Sequence, residues 1–187
     1  MAEPLVKYAE AAVREILSGM PDVLRRSEVA AEQAQRAVRL IRRPRPELLV
    51  SAAWLHAVGE APSLRRCGLP SVDGATHLMD QGWPTPTVSL VAHQQQSRMI
   101  ARALDCEAAL SLFERVPGWP ADIVDFAILT SSPEGPVDIN EGLHRVRHFD
   151  IAHPRISASV REERIARLRR AGERVGRAIT VAEGVTA

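Results

Sequence analysis

Apolar residues recur along this chain at steps of three and four. In the first segment Leu5, Tyr8, Ala12 and Ile16 share one helical face, and Gly19 with Pro21 ends the run. A second helix from Pro21 to about Ile41 turns Leu24, Val29 and Val38 toward a core and closes at RRPRP. Pro46 suits the first turn of a third helix over residues 47–58, since its fixed φ is helical and its missing N–H is not needed there. Gly59 breaks that helix. Beyond a loop holding Pro62, Cys67, Gly68 and Pro70, Ser71 is the candidate N-cap for the segment SVDGATHLMDQGW. Residues 85–94, 97–116 and 121–131 repeat the helical spacing between prolines, and SSPEGP reads as a turn. The stretch 157–175 is strongly charged, with Val160, Ile165 and Leu168 as its apolar seam. Alternation of β-branched residues never extends beyond a few positions, so the pattern predicts an all-α, single-domain helical bundle.

Composition narrows the function classes. The chain has 187 residues, 45% hydrophobic and 25% charged, which is enough for one domain with a real core. Its 24 basic and 23 acidic residues leave a net charge of +1, so no global field argues for nucleic acid or an anionic membrane. The N-terminal residues alternate charged and apolar positions, and neither a signal peptide nor a transmembrane span is expected. Cys67 and Cys106 form no C-x-x-C pair, so no disulfide framework is expected, and a cytoplasmic location follows as the default. Three parts are anticipated: an N-terminal helix at 1–20, a helical core at 21–156, and a charged helix and tail at 157–187. The exposed face of the last is a candidate homodimer surface.

Several short segments in order, spanning roughly residues 21–179, resemble the HD-domain superfamily of metal-dependent phosphohydrolases. RRSEVAAEQA is similar to the helix that brings the family's first metal-binding histidine four residues before a Val-Ala pair. AAWLHAVGE resembles the helix with the His-Asp doublet, and GLPSVDGATHLMDQGWP a loop-and-helix that often begins Gly-Phe-His-Pro. LVAHQQQSRMIARAL looks like a Val-Ala-His-His segment with a later arginine, and VDFAILTSSPEG like the segment supplying the final aspartate.

The departures bear directly on chemistry. On this resemblance Arg25 stands where the first histidine belongs, His56 is kept, and Ala57 replaces the bridging aspartate. His93 is kept, Gln94 replaces its neighbour, and Ile128 replaces the last aspartate. A dinuclear centre needs neutral imidazoles and at least one carboxylate. Arginine has no acceptor and stays protonated, so it repels a cation. No tight metal and no cofactor are therefore expected; a displaced site of His56, His93 and Asp125 is the one alternative, because Asp125 lies a helical turn before Ile128.

What the resemblance implies instead is a convergence of Arg25, His56, His93, Gln94 and Arg98, lined by Trp54, on the former metal cavity. A guanidinium fork, two imidazoles and an amide suit a small anionic or polar ligand. The leading expectation is a ligand-binding or regulatory relative that has lost phosphohydrolysis. One alternative is a metal-independent enzyme with His56 or His93 as base and Arg25 as electrostatic stabiliser. Another is a phosphohydrolase acting on a nucleotide or phosphomonoester through a rearranged metal site. The bland counterpart has Arg25 paired with a carboxylate such as Glu60 and the histidines merely hydrogen-bonded. His144, His148 and His153 are read as a surface cluster, because flanking arginines oppose a cation.

Overall fold

The computed structural model describes residues 3–42 and 45–185; Arg43 and Pro44, within the expected RRPRP stop, lie outside them. Helix α1 (Glu3–Ile16) is followed by α2 (Pro21–Ile41) and α3 (Pro46–Leu55), with Pro21 and Pro46 each at a first helical turn. Then come α4 (Pro70–Asp80), α5 (Thr85–His93) and the single-turn α6 (Glu107–Leu110). Helix α7 (Trp119–Leu129) leads into a two-residue hairpin, β1 (Ser131–Ser132) paired antiparallel with β2 (Gly135–Pro136). Helices α8 (Ile139–Ala152) and α9 (Ala158–Val185) complete the described chain. The all-α architecture is the one the periodicity predicts.

A main core binds most of these elements, and a smaller cluster of Leu129, Leu143, Val146, Ile165 and Leu168 packs α8 against α7 and α9. Leu55 of α3, Val72 of α4, Val91 of α5 and Ile123 of α7 lie at the centre of the main core, fully or almost fully buried. Ala9, Val13 and Leu17 at one end of the chain and Val175 and Ile179 at the other are buried in the same cluster, so the terminal helices are built into it. Two glycines permit the closest approaches. A Cβ at Gly59 would sit 1.8 Å from the Pro70 carbonyl oxygen, and one at Gly142 would sit 2.1 Å from that of Leu129. Only hydrogen fits in either place, and both contacts press backbone against backbone.

Four expectations are corrected. The fully buried residues of α1 are Ala9 and Val13, with Leu17 just past its end, while the expected Leu5, Ala12 and Ile16 are partly buried against the same core; Tyr8 alone of that face is exposed, stacked on Trp83 with ring centroids 4.7 Å apart. The expected helix over 97–116 is broken: Gln95 and Gln96 just before it and Asp105 within it take positive φ, and it holds only the end of a 3-10 turn, Gln94–Met99, and the single-turn α6. Ser71 is not a cap: α4 starts one residue earlier, at Pro70, and the Ser71 side chain turns inward. Finally, Cys67 and Cys106 are joined in a disulfide. They are 39 residues apart, yet the fold brings the loop before α4 and the residue before α6 to a Cα separation of 5.7 Å, within bridging range. With both cysteines paired, cysteine usage no longer points to a reducing compartment. Among the described residues, no helix is long and apolar enough to cross a membrane.

Candidate functional site

A cavity of about 370 Å³ opens between the N-terminal part of α2, the end of α3, the start of α4, the segment after α5, and α8. His56 lies at the end of α3 and is 5% exposed. Its Nδ1 is 2.8 Å from the Ala53 carbonyl oxygen, while Nε2 is buried without a hydrogen-bond partner. A carbonyl only accepts, so Nδ1 carries the proton and Nε2 presents a bare lone pair. Burial, and then the nearby Arg26 guanidinium, pull the His56 pKa down to about 3. At neutral pH the ring is an uncharged acceptor.

Gln94 is the second fixed group. Its Nε2 donates to the His56 carbonyl oxygen at 2.7 Å, which leaves Oε1 buried and unpartnered. Ser97 Oγ donates to the Gln94 carbonyl at 2.6 Å and lies 2.7 Å from Ser71 Oγ. Because the Ser97 hydrogen is already committed, Ser71 is the donor of that second bond. All four residues line the cavity.

Opposing charge comes from three arginines. Arg26 of α2 pairs with Glu60. Arg145 of α8 donates from Nη2 to the Ser131 carbonyl at 2.5 Å, and its Nη1 is buried with no hydrogen bond, 3.6 Å from a Glu141 carboxylate oxygen. Burial, and then the Arg26 charge, lower the Arg145 pKa, so the two guanidinium groups feel each other. Arg164 of α9 is almost fully buried, paired with Asp150 and donating from Nε to the Gln95 carbonyl at 2.8 Å. Leu69, Ile128, Val146 and Phe149 supply the apolar wall.

The predicted constellation is thus only partly assembled. His56 and Gln94 reach the cavity, with Ile128 beside them. Arg25 does not: it lies on the outer face of α2, hydrogen-bonded to Glu28 at 3.0 Å, and Arg26 takes the inward position and the Glu60 partner. His93 is outside the lining, and its Nε2 is 2.9 Å from the Phe113 carbonyl. Trp54 lies in a separate surface hollow under Arg14, whose guanidinium carbon is 5.8 Å from the ring centroid. Arg98 is exposed and also outside the lining. Asp125 is buried elsewhere: it accepts the Gln95 N–H at 2.5 Å and a Gln96 side-chain hydrogen bond, so it holds the left-handed turn after α5. His144 and His148 are exposed on α8.

Sequence reasoning passed over Arg26, Arg145, Ser71 and Ser97. A helical-wheel signal existed for the first: Arg26 falls on the stripe of Ala30, Gln33 and Ala37, all buried, whereas Arg25 shares a mixed stripe of buried Val29 with exposed Glu32 and Arg36. Arg145 carried no comparable mark, since its place depends on where the hairpin carbonyls fall.

A divalent ion does not fit this donor set. One imidazole nitrogen, one amide oxygen and one carboxylate already paired with Arg26 face three guanidinium groups. No cluster of three or more His, Cys, Asp or Glu with metal-holding geometry occurs among the described residues. Comparison with known proteins adds no assignment: no family model matches the chain, and neither do curated proteins or solved structures.

Proposed function

We propose that this is an HD-domain-like protein whose former metal cavity binds a small organic anion directly, in a ligand-binding or regulatory role rather than in phosphohydrolysis. The observation that carries the reading is the arrival of Arg26 from α2 and Arg145 from α8 at one cavity, with a buried Arg145 Nη1 lacking a hydrogen-bond acceptor. A guanidinium in low dielectric seeks a carboxylate or phosphate oxygen, and two of them form a fork for one. The HD-like reading rests on the motif order, with His56, Gln94 and Ile128 lining the same cavity.

The neutral state of His56 favours binding over acid–base catalysis. With its pKa near 3, the imidazole is a weak base for taking a proton at neutral pH. A metal-dependent phosphohydrolase is disfavoured by the donor set. Thermal-shift titration with inorganic phosphate and citrate tests the proposal, alongside the variant Arg145→Gln. Stabilisation of the natural protein, weakened about tenfold in apparent affinity in the variant, is expected for loss of a charge-assisted hydrogen bond. Indifference to both anions, or equal stabilisation of the two proteins, would refute it.

A further inference from the structure

The polar groups of the cavity are sorted by hydrogen-bond sense. Arg26 and Arg145 can only donate. The opposite set can only accept: His56 Nε2 holds no proton because Nδ1 faces the Ala53 carbonyl at 2.8 Å, and Gln94 Oε1 is turned away from the bond its own amide nitrogen makes to His56. The serine hydrogens are spent, Ser97 toward the Gln94 carbonyl and Ser71 toward Ser97, so both hydroxyls offer lone pairs alone. His56 and Gln94 are 5% and 7% exposed, and both free acceptor atoms are buried without a partner. Buried acceptors left unmet are unfavourable, and a bound group that donates to them removes that penalty.

We infer that the ligand of this cavity is an organic anion whose far end bears an uncharged hydrogen-bond donor, a hydroxyl or amide N–H, received by His56 Nε2 and Gln94 Oε1. This rests on the anion-binding reading of the same cavity and specifies the ligand beyond it. The donor is uncharged because Arg26 and Arg145 both act on the His56 position while Arg164 is neutralised by Asp150, and no carboxylate of the lining faces His56 unpaired. An ammonium placed beside His56 would meet the same positive field that disfavours the imidazolium. Leu69, Val146 and Phe149 also line the cavity, so an apolar stem is accommodated. The anionic end is a phosphate or a carboxylate, both of which match a guanidinium fork.

Matched probes on the full chain test this by NMR titration. One set is 4-hydroxybutyl phosphate, pentyl phosphate and 4-aminobutyl phosphate; the other is 5-hydroxypentanoate, hexanoate and 5-aminopentanoate. Inorganic phosphate serves as the bare anion. Within whichever set binds, the hydroxyl probe is expected to bind about tenfold more tightly than its methyl-ended and ammonium-ended counterparts. The responding set identifies the anion. His56→Phe is expected to abolish the hydroxyl preference while retaining binding of the methyl-ended probe. Gln94→Glu, read independently in case the first variant fails to fold, is expected to shift preference toward the ammonium probe. Equal affinity for hydroxyl and methyl ends, with inorganic phosphate still bound, overturns this inference and leaves the anion reading intact. Failure of every probe and of inorganic phosphate overturns both.

Discussion

Asp125 and His56 are both buried titratable groups, and they push stability in opposite directions with pH. Burial raises the Asp125 pKa to about 7, against the opposing hydrogen bonds from Gln95 and Gln96. A carboxyl with a folded pKa above its unfolded value of 3.8 favours the folded state fully below 3.8, and that advantage is lost as pH rises toward 7. His56, with its folded pKa near 3 against 6.5 unfolded, loses stability instead as pH falls below 6.5. Comparing the natural protein with Asp125→Asn isolates the first effect, because the amide oxygen can still accept from Gln95. Relative to that variant, the natural protein is expected to lose up to about 1.4 kcal/mol per pH unit between pH 4 and 7. Urea denaturation across that window measures it, and parallel curves for the two proteins would dismiss the shifted carboxyl. Asp125 was legible as a polar residue on an inward helical face, but its task was not. Nothing local announces that Gln95 and Gln96 adopt φ of 49° and 56°, the left-handed turn Asp125 holds.

At the scale of elements, the sequence-derived expectations failed mostly by rotation or by unrecognised breaks. The helices over α1, α2, α3, α5 and α7 were readable from spacing and proline. Yet Tyr8, expected inward on α1, is exposed while Ala9 is buried, and on α2, where Val29 and Val38 are buried as expected, Arg26 and not the Arg25 of the resemblance turns inward. A single residue is about 100° around a helix, enough to move a side chain from the cavity to solvent. The disulfide was invisible for a different reason: it depends on tertiary approach, which spacing cannot encode. It ties the loop before α4 to the start of α6, and that loop runs directly into Leu69, Pro70 and Ser71 of the cavity wall. Closing a 39-residue separation lowers the entropy of the unfolded chain, and the loop-closure relation gives about 4 kcal/mol. The double variant Cys67→Ser, Cys106→Ser is expected to lose stability on that scale in denaturant melts. Two reactive thiols in the native protein under non-reducing conditions would contradict the pairing outright.

For the molecule as a whole, net charge says little because 24 basic and 23 acidic residues almost cancel. Their placement says more: most ion pairs are exposed, whereas Arg164 and Asp150 are 4% and 0% exposed at the side chain. That pair joins α9 to α8, and Arg164 Nε reaches the Gln95 carbonyl in the segment Asp125 also holds. Three elements bordering the cavity thus share one buried guanidinium. Exposed pairs contribute roughly 0–1 kcal/mol each. Removing one partner of a buried pair costs about 3–5 kcal/mol, because the remaining charge stays desolvated. Asp150→Ala is therefore expected to destabilise the fold by that amount, far more than Glu162→Ala, which breaks the exposed pair to Arg147. The double replacement Asp150→Leu, Arg164→Met removes both charges and leaves only the Gln95 carbonyl wanting, so its loss should be smaller than that of Asp150→Ala alone. Chemical denaturation of the four proteins orders them. If Asp150→Ala were no worse than Glu162→Ala, the buried pair would not hold α8, α9 and the cavity segment in register.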